Sequence, residues 1–188
     1  MSIVLQSSGG GSVTLQEAVT ASNLTITVPA VTGTMITTAS TFAGTGPAFS
    51  AYNSTTQSVS SGAFTKCVLN AENFDTNNNF DNTTNYRFTP TVAGYYQISA
   101  KLRAIGSSSL NRVICSIYKN GQTTGRLFDM TVSFGTSGIF VSGADLLYMN
   151  GSTDYVELYA FVDGTGTLLI GAGDTNTTYL YGAMVRAA

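Results

Sequence analysis

From Tyr96 to Arg103 the chain alternates without a break. Tyr96, Ile98, Ala100 and Leu102 fall on one side, and Gln97, Ser99, Lys101 and Arg103 on the other. Such a period of two cannot form the stripe of an amphipathic helix, and it marks a strand with one face buried. Upstream, Tyr86-Arg87-Phe88 is a second strand-like run, and Thr89-Pro90-Thr91-Val92-Ala93-Gly94 separates the two. Pro90 presets φ and Gly94 permits φ > 0, so the segment reads as a chain reversal, in effect a hairpin.

The same grammar holds nearly everywhere. Short runs rich in Thr, Val, Ile, Tyr and Phe are separated by Gly, Asn, Asp and Ser, and no window carries a capped 3.6-residue apolar pattern. Predicted strands cover Ala48–Tyr52, Phe64–Asn70, Tyr86–Phe88, Tyr95–Arg103, Arg112–Lys119, Gly138–Met149, Tyr155–Val162 and Thr178–Val185. Lys119-Asn120-Gly121-Gln122 supplies the Asn-Gly pair of a tight hairpin. Eight to ten strands with no helix between them predict an antiparallel sandwich or jelly roll.

Residues 1–46 differ from the rest, being poor in aromatics and rich in Gly, Ser, Thr and Ala. Ser12–Leu15 and Leu24–Pro29 are strand candidates there, yet large apolar residues are too few for an independent core. This segment reads as an extended β arm that packs on partners, with Val13, Leu15, Leu24, Ile26 and Val28 as the candidate anchoring residues.

Two late strands are apolar on both sides. Val156, Leu158, Ala160 and Val162 form one face of the first, and Tyr155, Tyr159 and Phe161 make the opposite face aromatic. In the last strand Leu180 and Met184 oppose Tyr179, Tyr181, Ala183 and Val185. Sheets apolar on both faces need both covered. Tyr155, Tyr159, Phe161, Tyr179 and Tyr181 are therefore the candidate interface residues.

Only 10% of the 188 residues are charged and the net charge is −2. An average globular protein carries roughly 25%, so part of this surface is expected to be hidden in an assembly. The eight Lys and Arg are scattered, which excludes the basic footprint of a nucleic-acid binder. No apolar run approaches the roughly 20 residues of a membrane span. Met1–Leu5 runs directly into Gln6-Ser7-Ser8-Gly9, without the charged and apolar regions of a signal peptide. Synthesis in a cytoplasm, with a route outward such as assembly into a particle, is the expectation.

There is no His, which removes the commonest general base and every Ser-His-Asp or Cys-His arrangement. Asp145, Asp154, Glu157 and Asp163 show no recognisable catalytic spacing, so a non-enzyme is expected. Asp75-Thr76-Asn77-Asn78-Asn79-Phe80-Asp81 begins like a calcium loop, but Phe80 stands where the turn needs Gly and Tyr86 where a bidentate Glu is required. It reads as an Asn-rich turn. The sequons at Asn23, Asn53, Asn82, Asn150 and Asn176 read as accidents of composition. Cys67 and Cys115 read as buried free thiols, with a disulfide open if their strands adjoin. Loops around 71–85, 104–111, 121–137 and 163–177 are candidates for a recognition surface of unassigned residues.

Residues 47–188 resemble the C1q/TNF-type jelly roll. Ala48-Phe49-Ser50-Ala51 resembles its opening strand, and Cys67-Val68-Leu69-Asn70 with Phe80-Asp81 its second. Tyr86-Arg87-Phe88-Thr89-Pro90 through Gly94-Tyr95-Tyr96-Gln97-Ile98 is similar to the family core, with Tyr86 replacing a usual Gly. Ser116–Gly121, Gly151–Leu158 and Tyr179–Val185 resemble three later elements, although two residues separate Gly151 from Asp154. The resemblance implies a ten-stranded jelly roll assembled as a homotrimer, and it leaves room for calcium, which some members bind. Within residues 1–46, Gly10–Gln16 and Ala21–Met35 are similar to segments of bacteriophage fibre and virion-surface proteins. Together these imply a trimeric knob on a virion surface. Its other partners would be capsid, fibre or tail proteins and a host cell-surface glycan or protein. A free C1q/TNF-like recognition or signalling protein is the alternative.

Overall fold

A computed structural model describes residues 2–6, 8–16, 46–134, 138–171 and 177–188. The chain divides into two compact units, Met1–Met35 and Ile36–Ala188. In the first, β1 (Ser2–Gln6) and β2 (Ser12–Gln16) form an antiparallel hairpin, Ile3 opposite Leu15 and Leu5 opposite Val13. Sequence reading found β2 and missed β1. Of the candidate anchors, Val13 and Leu15 lie on β2, while Leu24, Ile26 and Val28 lie outside the described residues.

The second unit is all-β among the described residues, with thirteen strands in two facing antiparallel sheets. They are β3 (Ala48–Tyr52), β4 (Gln57–Ser58), β5 (Ala63–Lys66), β6 (Ala71–Asp75), β7 (Phe80–Asp81), β8 (Arg87–Phe88) and β9 (Ala93–Gly106), followed by β10 (Ser109–Lys119), β11 (Gln122–Phe134), β12 (Gly138–Asn150), β13 (Val156–Thr165), β14 (Leu168–Ile170) and β15 (Tyr179–Ala187). In the front sheet β12 flanks β9. β15 and β14 share the other side of β9, followed by β3 and β4, with β6 at the far edge. In the back sheet the order runs β11, β10, β13, with β5 and β8 sharing the far side of β13 and β7 beyond β8. This is a jelly roll, with strands beyond the expected ten because several are two- or three-residue pieces.

The Pro90–Gly94 corner is not a hairpin. β8 belongs to the back sheet and β9 to the front one, so the corner carries the chain across the sandwich. The Tyr96 hydroxyl, its pKa pushed up to about 12 by burial, donates to the Val92 carbonyl at 2.7 Å and closes the corner. Across the sandwich, Phe49 of β3 stacks on Phe88 of β8 with centroids 4.0 Å apart. Phe80 and Tyr96 pack around that pair at 5.4 Å and 5.7 Å. The predicted inner faces Tyr96–Leu102 and Val156–Val162 are buried in this core.

β11 occupies most of a predicted loop, 121–137, and β6 begins another. Register shifts between Cys115 and Ser116 and between Ile117 and Tyr118 break the alternation that would have revealed β11. Asn120 and Gly121, at φ 53° and 75°, make the two-residue turn that starts it. Gly182 is required by close approach: a Cβ there would stand 2.6 Å from Ile98 Cδ1 and 2.7 Å from the Gln97 carbonyl.

Cys67 and Cys115 are free and buried. The Cys67 amide bonds the Leu158 carbonyl on one side of β13, and Cys115 pairs with Ala160 on the other. With a strand between them their backbones are roughly 9–10 Å apart, beyond the roughly 7 Å reach of a disulfide. Burial pushes both thiols up, Cys115 to about 12, and Cys67 further through its neighbour Cys115.

Phe88→Ala should cost about 3–5 kcal/mol of stability, read from urea unfolding midpoints, because it empties the inter-sheet stack. Neither thiol should react with a disulfide reagent at pH 8 until the protein unfolds, and both should then react.

Candidate functional site

The two outer faces of the sandwich differ in kind. On the back sheet Phe64, Tyr118, Tyr159 and Phe161 cover one another: Tyr118 stacks on Tyr159 at 3.9 Å, and Phe64 meets Phe161 at 5.2 Å. Beneath them Glu157 is 4% exposed and takes Lys66 Nζ at 2.6 Å. Tyr155, just before β13, lies under the Arg87 guanidinium at 4.2 Å. These groups cover most of the sheet within one chain, with Phe64 and Phe128 left 38% and 40% exposed.

The front sheet is more open, although Tyr95 meets Tyr148 edge-on at 5.5 Å and Arg103 lies 5.5 Å from the Phe140 ring centre. Its outward rows, set by register, place Tyr148 beside Tyr95, Leu146 beside Gln97, Ser142 beside Lys101 and Phe140 beside Arg103. On the other side of β9, Tyr181 stands between Ser99 and Ser50, and Tyr179 between Lys101 and Tyr52. Ser50 in turn faces Phe74. Tyr95, Phe140, Leu146, Tyr148, Tyr181, Phe74 and Val185 are each 42–58% exposed. A shallow depression of about 410 Å³ between Ser50, Asn73, Lys101, Tyr179 and Tyr181 lies within this face. Lys101 Nζ sits 4.6 Å from the Phe140 ring, a cation–π contact rather than an ion pair.

The five candidate interface residues are thus split. Tyr179 and Tyr181, 5.3 Å apart, lie on the open front face, and Tyr155, Tyr159 and Phe161 lie with the back sheet. One flat contact cannot bury both groups. Sequence reading saw that β13 and β15 were apolar on both sides. It missed Phe74, Phe140, Leu146 and Tyr148, whose face depends on the register of β6 and β12.

A second concavity, about 470 Å³ and polar, opens at the sandwich edge where the loops of residues 76–91 meet β7 and β8. Its loops are pinned from within. Asp75 accepts from the Asn77 and Phe80 amides at 3.2 and 2.6 Å, so the calcium-like stretch closes on its own backbone. Asn79 accepts from the Thr91 amide. Asp81 accepts from the amides of Thr83, Thr84 and Asn85 and from Asn85 Nδ2; these bonds, that of Thr84 foremost, hold its carboxyl far below the usual carboxylate range. Tyr86 has φ 51°, left-handed backbone where the resembled family places Gly.

Among the described residues no three His, Cys, Asp or Glu side chains gather to hold a metal. Asp154 is bound to Lys119 and Asn120, Asp163 to Ser61, and Asp145 caps the Leu146 amide. Asn53, in one of the sequons, is buried with Nδ2 donating to the Val68 carbonyl.

No protein-family model matches the chain, and no curated protein sequence is significantly similar to it. Solved structures are similar in fold. Eiger TNF from S. frugiperda superposes with TM-score 0.53 at 12% identity, covering 76% of this chain and 93% of its own. Murine APRIL superposes with TM-score 0.52 at 8% identity, covering 74% and 98%. PRD1 vertex protein P5 aligns at TM-score 0.46 and 15% identity over 75% and 73%. The fold is a TNF-like jelly roll. Residues Ile36–Ala188 contain all of it.

Lys66→Met should cost about 1–3 kcal/mol by leaving Glu157 buried and unpaired. Adding Glu157→Gln should recover most of that loss in urea unfolding, a coupling expected only if the two side chains interact directly.

Proposed function

We propose that this chain is a non-enzymatic, self-associating surface knob of a bacteriophage particle. The observation that carries the reading is the uncovered aromatic face of the front sheet. Monomeric soluble proteins rarely leave so large an apolar patch exposed, and a second copy of the same chain covers it without any further gene product. Compact trimers are what the C1q/TNF resemblance implies, and the TNF-like fold supports that arrangement. A chain with 10% charged residues also lacks the charged surface that keeps a free monomer in solution.

The virion setting rests on the arm-like composition of residues 1–46 and its likeness to phage surface proteins. In that setting the arm attaches the knob to capsid, fibre or tail, and the knob meets the host surface or decorates the particle. The non-enzymatic reading rests on the missing His and on described carboxylates that, Glu72 aside, are engaged by lysines, arginines, amides, hydroxyls or backbone donors.

Light scattering should give three times the chain mass. Leu146→Lys and Tyr181→Lys should each shift the protein toward monomer, because a lysine in a dry interface is desolvated without a partner. Tyr159→Ser should leave the mass unchanged. A monomeric parent protein would sink the assembly. Deleting residues 1–46 should preserve the trimer but abolish incorporation into particles; undiminished incorporation would refute the anchoring role.

A further inference from the structure

Four of the eight lysines and arginines pair with a carboxylate among the described residues. Arg112 and Arg126 share Asp129, Lys66 takes Glu157, and Lys119 takes Asp154. Arg87 is different. Asp81 stands directly opposite it across the β7–β8 ladder, the natural place for a cross-strand ion pair. Both Asp81 oxygens are instead occupied by amides of residues 83–85 and by Asn85 Nδ2. The guanidinium lies over the Tyr155 ring, 4.2 Å from its centroid. Its N–H donors have no hydrogen-bond or ion-pair partner among the described residues, and Arg87 is one of the residues lining the polar cleft.

A guanidinium held over an aromatic ring, with its donors free, is pre-organised for a planar oxyanion. Here several features hold it in place. Arg87 follows Tyr86, whose φ of 51° aims the strand and would cost on the order of 1–3 kcal/mol if nothing enforced it. Asp75, Asn79 and Asp81 fasten the surrounding loops to their own backbone, so the cleft needs little ordering when a ligand enters. One carboxylate, Asp81, also lines the cleft, with its oxygens turned to the amides of residues 83–85; the other polar lining side chains, Arg87 aside, are those of Asn and Thr residues. The single apolar residue lining it, Phe80, is 6% exposed, so the cleft offers no greasy groove for a peptide side chain.

We infer that this cleft binds a carboxylate-bearing sugar, a uronic or sialic acid unit, with Arg87 taking the carboxylate and the Asn and Thr side chains taking the ring hydroxyls. This deepens the adhesion part of the proposed function and says which chemistry on a host surface the knob would recognise. It does not depend on the trimer. The cleft sits at the β6–β7–β8 edge of the sandwich, the edge opposite β11 and β12.

The test is a titration of the full chain with sodium glucuronate and N-acetylneuraminate, followed by nuclear magnetic resonance. Light scattering on the same samples reports assembly separately. At least one acidic sugar should give saturable shifts confined to residues 78–91, with an affinity on the order of millimolar. Glucose and inorganic phosphate should each bind about tenfold more weakly, because one lacks the charge and the other the hydroxyl pattern. Arg87→Lys, which keeps the charge but loses the fork, should weaken binding about tenfold. Asn78→Asp adds a repelling charge at an exposed position whose φ of 53° Asp tolerates; it should weaken binding about as much. Lys101→Met, on the front face, should change nothing. Equal binding of glucose, phosphate matching the better acidic sugar, no saturation by either acidic sugar, or unchanged affinity in both Arg87→Lys and Asn78→Asp would each overturn the assignment, whatever mass light scattering records.

Discussion

The sandwich depends on the stack of Phe49 on Phe88, 4.0 Å apart, because these rings come from different sheets. Phe80 and Tyr96 close around them, and Tyr96 then bonds the corner that carries β8 into β9. One aromatic cluster thereby holds the two sheets at packing distance and fixes where the chain crosses between them. The order of strands on either side follows from that crossing. So does the outward direction of every odd-numbered residue on β9.

Once the inner faces are spent on this core, the outer faces face different problems. The back sheet solves its own: aromatic rings lie on one another and on arginine and lysine stems, with Lys66 and Glu157 paired beneath. The front sheet leaves tyrosines, Phe140 and Leu146 in open rows. The same residue types are quiet on one side and demand a partner on the other. Rings meet on both sides, Tyr95 with Tyr148 at 5.5 Å on the front sheet among them; what differs is how many apolar side chains the front sheet leaves in solvent.

At the sandwich edge the economy of hydrogen bonds takes a third form. Carboxylates that could have paired with cations are used to fasten loops, as Asp75 and Asp81 show, and Arg87 is left to an aromatic ring. Loop rigidity and an unspent guanidinium thus arise from the same choice of partners. A strained Tyr86 beside it persists because both its flanks are tied down.

The period-two pattern, the Pro and Gly punctuation and the Asn-Gly turn made the all-β class, the buried faces of β9 and β13 and the β10–β11 turn legible. Resemblance to a known family added the jelly roll. What escaped was whatever depends on pairing between distant strands. β11 was hidden by bulges that interrupt its alternation, and the corner at Pro90 looked like a hairpin because a local turn does not say which sheet receives the next strand. The aromatic residues Tyr155, Tyr159 and Phe161 looked equivalent to Tyr179 and Tyr181, since doubly apolar strands announce two covered faces without naming the cover. By itself the sequence determined which side of each strand is buried, because burial follows from side-chain period and solvation. Only the tertiary structure decided which outer face stays more open and that Arg87 lies on a ring rather than on the carboxylate opposite it, because both are settled by which strands and loops pack together.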